Sequence, residues 1–167
     1  PYCGTDLQAI RTVARREGDK YVINGTQTWI SNGIYGQAVA LLVKTDPTTN
    51  PPHKGMSMFI ALKDHPGFKV SRKLEKLGYK GIDSAELVFE DYEIPADRLI
   101  GEVEGRGLQQ ALGGLELGRI NVAARGVGVA RAALEEAVGN YARLNGAERV
   151  ECPGARLARA RWIVRTE

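Results

Sequence analysis

The chain has 167 residues, 43% hydrophobic and 26% charged, with 23 basic against 20 acidic side chains and a formal net charge of +3. That is the profile of a soluble globular protein, and no apolar run is long enough to span a membrane. Its two cysteines, Cys3 and Cys152, give neither a metal-ligand spacing nor a disulfide framework, and they fit a reducing compartment.

No signal peptide is visible, and cytoplasmic residence is the expectation. The chain opens on Pro1 rather than Met, so an upstream part is expected to be missing.

Residues 11 to 90 read as β structure. Arg11 to Arg16 alternates, and Glu17-Gly18-Asp19 is a turn. Lys20 to Asn24 predicts a short strand, Asn24-Gly25 a hairpin turn, and Thr26 to Ser31 the returning strand. Asn32-Gly33 turns the chain again. Ala38 to Lys44 and Met56 to Leu62 are continuous apolar runs, which predicts strands buried on both faces. Between them, Asp46 to Lys54 holds three prolines and reads as a loop. Phe68 to Ser71 and Ala85 to Glu90 complete the set. Short strands with frequent turns predict an antiparallel β-barrel or a packed-sheet domain.

The period changes at Leu108. Ile120, Val127, Leu134 and Tyr141 recur every seven residues, with Ala123, Ala130, Ala137 and Leu144 three positions after each. That is one apolar seam along a helix reaching about Leu144. Gly113, Gly114, Gly118, Gly126 and Gly128 lie in the same span. Each costs a helix interior roughly 1 kcal/mol relative to alanine, so a close helix crossing or a ligand against the backbone is expected. A lone helix cannot bury such a seam, and partner helices are expected elsewhere. The fold class is therefore α+β: a β domain over 1–100, a long helix over 101–144, and an irregular Arg-rich tail over 145–167.

Several residues could carry chemistry. Pro1-Tyr2-Cys3-Gly4-Thr5-Asp6-Leu7 places a glycine where backbone can approach a ligand, then a hydroxyl and an N–H for an anionic oxygen. By itself this is a common turn. Trp29-Ile30-Ser31-Asn32-Gly33 sets an indole and a hydroxyl on one strand end; the plain alternative is a half-buried strand tryptophan before a turn. Gly78-Tyr79-Lys80-Gly81 and Ser84-Ala85-Glu86-Leu87 read as fold-defining turns. Glu90, Asp91 and Glu93 resemble an acid–base pair, but a solvated strand end is the expectation. Leu115-Glu116-Leu117-Gly118-Arg119 puts a cation in a mainly apolar helical segment. His53 and His65 have no acid or metal partner in sequence. No P-loop, dinucleotide-binding glycine fingerprint or Ser-His-Asp arrangement is present.

Taken in order, these motifs resemble the acyl-CoA dehydrogenase family. Residues 1–7 resemble the second half of its EPxAGSDL signature, Trp29 to Gly33 its WI[ST]NG motif, and Val88 to Pro95 (VFEDYEIP) the segment joining its β domain to the C-terminal helices. The resemblance runs from Pro1 to about Leu144 and implies the middle β domain plus the first helix of the C-terminal bundle. It implies FAD as cofactor, with Gly4, Thr5, Trp29, Ile30 and Ser31 at the flavin and Ser31 near N5. It implies Thr5, Glu116 and Arg119 at an acyl-CoA substrate.

The implied reaction is α,β-dehydrogenation of an acyl-CoA thioester, in which a Glu takes the α proton and flavin N5 receives the β hydrogen as hydride. An oxyanion-hole effect at the thioester carbonyl stabilises the enolate-like charge. An electron-transfer flavoprotein is the implied acceptor and a homo-oligomer the implied assembly. One branch of the family carries its catalytic Glu where this chain has Gly118; the more usual base comes from a loop beyond Glu167. No catalytic residue and no metal ligand is therefore assigned, and the isolated fragment is expected to be inactive.

Two alternatives to the dehydrogenase remain: an acyl-CoA oxidase or flavin monooxygenase on the same scaffold, and an inert truncated β module. Past Leu144 the family's R-x-x-F-G motif is absent, and Asn145 to Cys152 stands in its place. A frameshift or misassembled terminus near Leu144 accounts for that. The rival is a basic tail binding nucleic acid by salt-dependent phosphate contacts. Trp162 is the only base platform it offers, so neither nucleic acid nor membrane is an expected partner.

Overall fold

The computed structural model describes residues 6–144. The expectations for Cys3, Gly4, Thr5, Cys152 and the tail over 145–167 lie outside the described residues. Strands β1 (Val13–Glu17), β2 (Lys20–Ser31), β3 (Ala38–Lys44), β4 (Met56–Leu62), β5 (Phe68–Lys73) and β6 (Ser84–Pro95) precede one long helix, α1 (Gly107–Leu144). The chain divides into two compact units after Gly114, inside α1.

The strands form one sheet in the order β4-β3-β1-β2-β6-β5. Four of its ladders are antiparallel, and β1 meets β3 in parallel at Val13 and Lys44. The α+β expectation holds, as one mixed six-stranded sheet followed by a long helix. A flat sheet would separate β4 from β6 by four strand spacings, about 19 Å. Yet the Tyr92 hydroxyl on β6 reaches the backbone of Leu62 on β4. The sheet therefore curls over, and its inner face encloses the core.

Aromatic rings fill that interior. Tyr21 meets Phe59 edge-on at 4.7 Å, Phe68 meets Phe89 at 5.0 Å, and Phe89 meets Tyr92 at 5.6 Å. Edge-to-face rings at such spacings contribute beyond their buried area. Inward residues alternate along the strands: Tyr21 and Ile23, Leu41 and Val43, Phe59 and Ala61, and Leu87 and Phe89, then Tyr92 and Ile94 after the extra residue at the register shift in β6.

Three sequence expectations need correction. Asn24-Gly25 is not a hairpin turn but lies inside the continuous strand β2. A register shift falls between Ile23 and Gly25 opposite β6. Gly25 takes φ +143°, and a Cβ there would sit 2.7 Å from the Cα of Thr12, just before β1. The glycine serves close backbone approach, not chain reversal. Second, β3 and β4 are buried on one face only: Ala38, Ala40 and Ile60 are exposed. An antiparallel ladder with one solvated face produces that alternation even where the outward residues are apolar. Third, β6 does not end at Glu90 but continues to Pro95. Its acidic residues face outward and are paired: Glu90 with Lys69, Glu93 with Lys20, and Asp91 with the Asn24 amide.

The segment leaving β6 is strapped to the sheet. The Ile100 N–H donates to the Met58 carbonyl at 2.8 Å, and the Gly105 N–H donates to Ser57 Oγ at 3.0 Å. Tyr21 donates its hydroxyl to Glu104, whose carboxylate also lies 3.8 Å from Arg16. Burial, then the Glu104 contact, push the Tyr21 phenol up to about 12. Within the second unit, Ile120, Val127, Tyr141 and Leu144 of the seam are exposed. No added Cβ at Gly113, Gly114, Gly118, Gly126 or Gly128 would meet an atom within 4 Å among the described residues.

Candidate functional site

The last third of β2 departs from regular strand geometry. Gln27 pairs with Leu87 and Ile30 with Ala85, so Thr28 and Trp29 together oppose the single residue Glu86. This is a β-bulge, a device that re-aims a side chain at a strand end. Trp29 takes φ 62°, the left-handed region that bulky residues rarely occupy. It is also 60% exposed. A large apolar ring held out in strained backbone is the kind of outlier that collects at ligand sites.

Ile30, the next residue, packs against the core. Ser31 follows, exposed, and pairs with the buried Ser84 at the start of β6. Asn32 is again left-handed, with φ 58°. Two left-handed residues therefore bracket the Ile30–Ser31 dipeptide. The inward isoleucine pins it, and the indole and hydroxyl on either side stay outside.

The turn beyond Ser31 is fixed by Asp83, which is 8% exposed. Its backbone carbonyl accepts from the Asn32 N–H at 3.0 Å. Its side-chain Oδ2 accepts from the Ile34 N–H at 2.7 Å. From the other side, Lys63 Nζ donates to the Ile34 carbonyl. Gly36 N–H closes the turn on the Asn32 carbonyl at 2.8 Å.

Trp29, Ile30 and Ser31 thus sit together, as their contiguity in sequence required. Gly4 and Thr5 lie outside the described residues. Glu116 and Arg119 are exposed on α1, within the second unit. Asp83 is the site residue that sequence reasoning missed. It belongs to no motif, and an acidic residue one position before a strand is too common to stand out. Its burial marks it, and burial needs the fold.

The rest of the first unit offers less chemistry. A depression of about 320 Å³ over β1, β2 and the end of β3 is lined by Val13, Val22, Asn24 and Pro47, among others. Its one charged lining residue, Arg15, is already engaged by Glu17. His65 stacks edge-on to Tyr92 at 6.4 Å. Among the described residues no three His, Cys, Asp or Glu side chains gather as a metal site. No helix of the described residues is long and apolar enough to cross a membrane.

Comparison with known proteins falls on this same segment. The family profile described as "Acyl-CoA dehydrogenase, middle domain" matches residues 1–92. The chain is 41% identical over 138 residues to a cyclohex-1-ene-1-carbonyl-CoA dehydrogenase of Syntrophus aciditrophicus, covering 83% of this chain and 33% of that protein. It is 41% identical over 142 residues to the mitochondrial short-chain specific acyl-CoA dehydrogenase of Homo sapiens, covering 85% and 34%. The structure of butyryl-CoA dehydrogenase from Megasphaera elsdenii superimposes with a TM-score of 0.79 at 36% identity, over 83% of this chain and 36% of that one. The chain spans about a third of the length of the curated relatives it matches.

Proposed function

The chain belongs to the acyl-CoA dehydrogenase family, and on that footing we propose that it is a fragment of an FAD-dependent enzyme that introduces an α,β double bond into an acyl-CoA thioester. The observation that carries the proposal is the backbone of Trp29, left-handed and bulged so that the indole stands out beside Ser31. Local stability alone gives no reason to hold a tryptophan there. A planar ring system lying against the indole does.

In this reading the Trp29 ring flanks the isoalloxazine, and the Ser31 hydroxyl donates to its polar edge near N5. Ile30, between them in sequence, anchors both by packing against the core. Gly4 and Thr5 complete the flavin contact, the former by close backbone approach. FAD, when bound, supplies the acceptor for the substrate's β hydrogen. The protein's part is to orient the ring and exclude water. Thr5, Glu116 and Arg119 face the acyl-CoA, with Arg119 as cation for its nucleotide portion. The catalytic base is supplied from outside this chain, so the fragment does not turn over substrate. The complete protein forms a homo-oligomer and passes electrons to an electron-transfer flavoprotein.

The test is direct. FAD is titrated into the isotope-labelled chain while the Trp29 indole and the amides of residues 28–36 are followed by NMR. Saturable shifts centred on that segment, together with Gly4 and Thr5, support the reading. Unchanged resonances there at saturating FAD, or shifts centred elsewhere, refute it.

A further inference from the structure

We infer that Asp83 is the positioning residue that holds Ser31 and Trp29 in register for the flavin, an assignment that rests on the flavin reading above. Trp29 and Asn32 both occupy left-handed backbone, three residues apart, at φ 62° and 58°. Asparagine enters that region readily, but tryptophan does not, so the Trp29 conformation persists only where its surroundings over-determine it.

On the upstream side the constraint is the β2–β6 ladder, with Ile30 set opposite Ala85 and Ser31 opposite Ser84. On the downstream side the ladder has ended. There the segment depends on Asp83, which binds it twice. The backbone carbonyl extends the pairing by one residue, to the Asn32 N–H. The carboxyl then reaches past Asn32 to the Ile34 N–H at 2.7 Å. A carboxyl oxygen accepting a backbone N–H in a part-buried place is among the stronger hydrogen bonds a turn can have.

The two bonds divide the work. The carbonyl bond survives any substitution at position 83, whereas the carboxyl bond belongs to the side chain. Without it the Ile34 N–H loses its acceptor, and the turn around Asn32 is left to the Asp83 carbonyl, the Gly36 N–H and the Lys63 contact at the Ile34 carbonyl. Ser31, the residue just before, turns with Asn32, and its hydroxyl direction is lost before the sheet itself is disturbed. Gly33 tightens the coupling: a Cβ there would lie 3.0 Å from the Ala85 Cβ, so the turn rests directly on β6. Asp83 touches neither ring nor substrate in this reading. It acts through Asn32 and Ile34.

The experiment uses the full chain in four forms: wild type, Asp83→Ala, Asp83→Asn and Tyr92→Phe. Asparagine keeps a carbonyl acceptor for Ile34, and Tyr92→Phe weakens the sheet through bonds to Leu62 that involve neither Asp83 nor the 31–36 turn. FAD is titrated against the Trp29 indole and Ser31 amide resonances, and exchange of the Ile34 amide is measured without FAD. Asp83→Ala is expected to raise the apparent Kd about tenfold or more and to speed Ile34 exchange, while Asp83→Asn stays within about threefold of wild type. Tyr92→Phe is expected to bind as wild type does. Equal affinity of Asp83→Ala and wild type overturns the assignment, even where Ile34 exchange accelerates. So does a loss in Asp83→Ala that Tyr92→Phe matches, since that is general destabilisation. A wild-type chain whose Trp29 and Ser31 resonances ignore FAD overturns the flavin reading itself, and this assignment with it.

Discussion

The hydroxyl of Tyr92 engages both backbone groups of Leu62: it accepts from the N–H at 2.9 Å and donates to the carbonyl at 3.1 Å. One side chain thus ties β6 to β4, which the sheet order places four strands apart. Burial raises the Tyr92 phenol above its usual range, so it remains a neutral donor at ordinary pH. Tyr92→Phe keeps the ring and removes both bonds. The expected cost is about 1–2 kcal/mol of unfolding free energy, for two part-buried backbone groups left without their partner. Urea denaturation checks it; a variant as stable as wild type would mean that the ring alone closes the sheet.

Gly107 begins α1 where there is no room for a side chain. An added Cβ would lie 2.6 Å from the Ser57 carbonyl carbon, 2.7 Å from its Cα and 2.8 Å from Leu42 Cδ1. Two of these are backbone atoms of β4, which cannot yield cheaply. Alanine is the better helix former, yet here Gly107→Ala is expected to destabilise the first unit by about 1–3 kcal/mol through overpacking. Gly113→Ala, with open space around it, is expected to be neutral or stabilising. Thermal melts of the pair separate close approach from helix propensity.

These contacts show what the sequence could and could not disclose. The long helix was legible because a seven-residue seam has no other good explanation, and α1 runs Gly107–Leu144 against an expected Leu108 to Leu144. The turn at Gly18, with φ 64°, was legible for a similar reason. Asn24-Gly25 misled because the dipeptide is equally suited to a turn and to a crowded strand position opposite a bulge in β6. What decides between them is Thr12, 13 residues away from Gly25, whose Cα leaves no space for a Cβ. Continuous apolar runs in β3 and β4 overstated burial because composition cannot tell which face is solvated. At the site, Trp29 and Ser31 could be named from their motif. The bulge that aims them and the Asp83 carboxyl that braces them depend on pairing across the sheet, which no local pattern carries.

Tyr21 is 1% exposed and donates to Glu104, which makes an alkaline transition readable. Its phenol stands at about 12 against a usual 10, first because burial disfavours the phenolate and next because Glu104 accepts a hydrogen bond from the neutral hydroxyl. A folded-state pKa raised above the unfolded value gives stability that is complete below about pH 10 and lost as pH rises through about 12. Tyr21→Phe is therefore expected to flatten the dependence of stability on pH across that window. Glu104→Gln is expected to lower the phenol's titration, seen by phenolate absorbance, while leaving it above 10 because burial persists. A Tyr21 that titrates at its ordinary value would show that the strap over Glu104 is open in solution.

Trp29 sets stability against binding at a single position. A bulky residue in the left-handed region costs about 1–2 kcal/mol, and glycine occupies that region without the penalty. Because the indole is largely exposed, its removal sacrifices little packing. Trp29→Gly is expected to raise the unfolding free energy by up to about 1 kcal/mol and at the same time to weaken the FAD-induced shift at Ser31. Trp29→Phe keeps a ring in the same strained backbone, and is expected to leave stability near wild type with a smaller loss of FAD response. Gain of stability together with loss of ligand response is the signature of strain retained for function. If Trp29→Gly instead unfolds more easily than wild type, the indole is held by packing, and its backbone strain does not mark a flavin-facing ring.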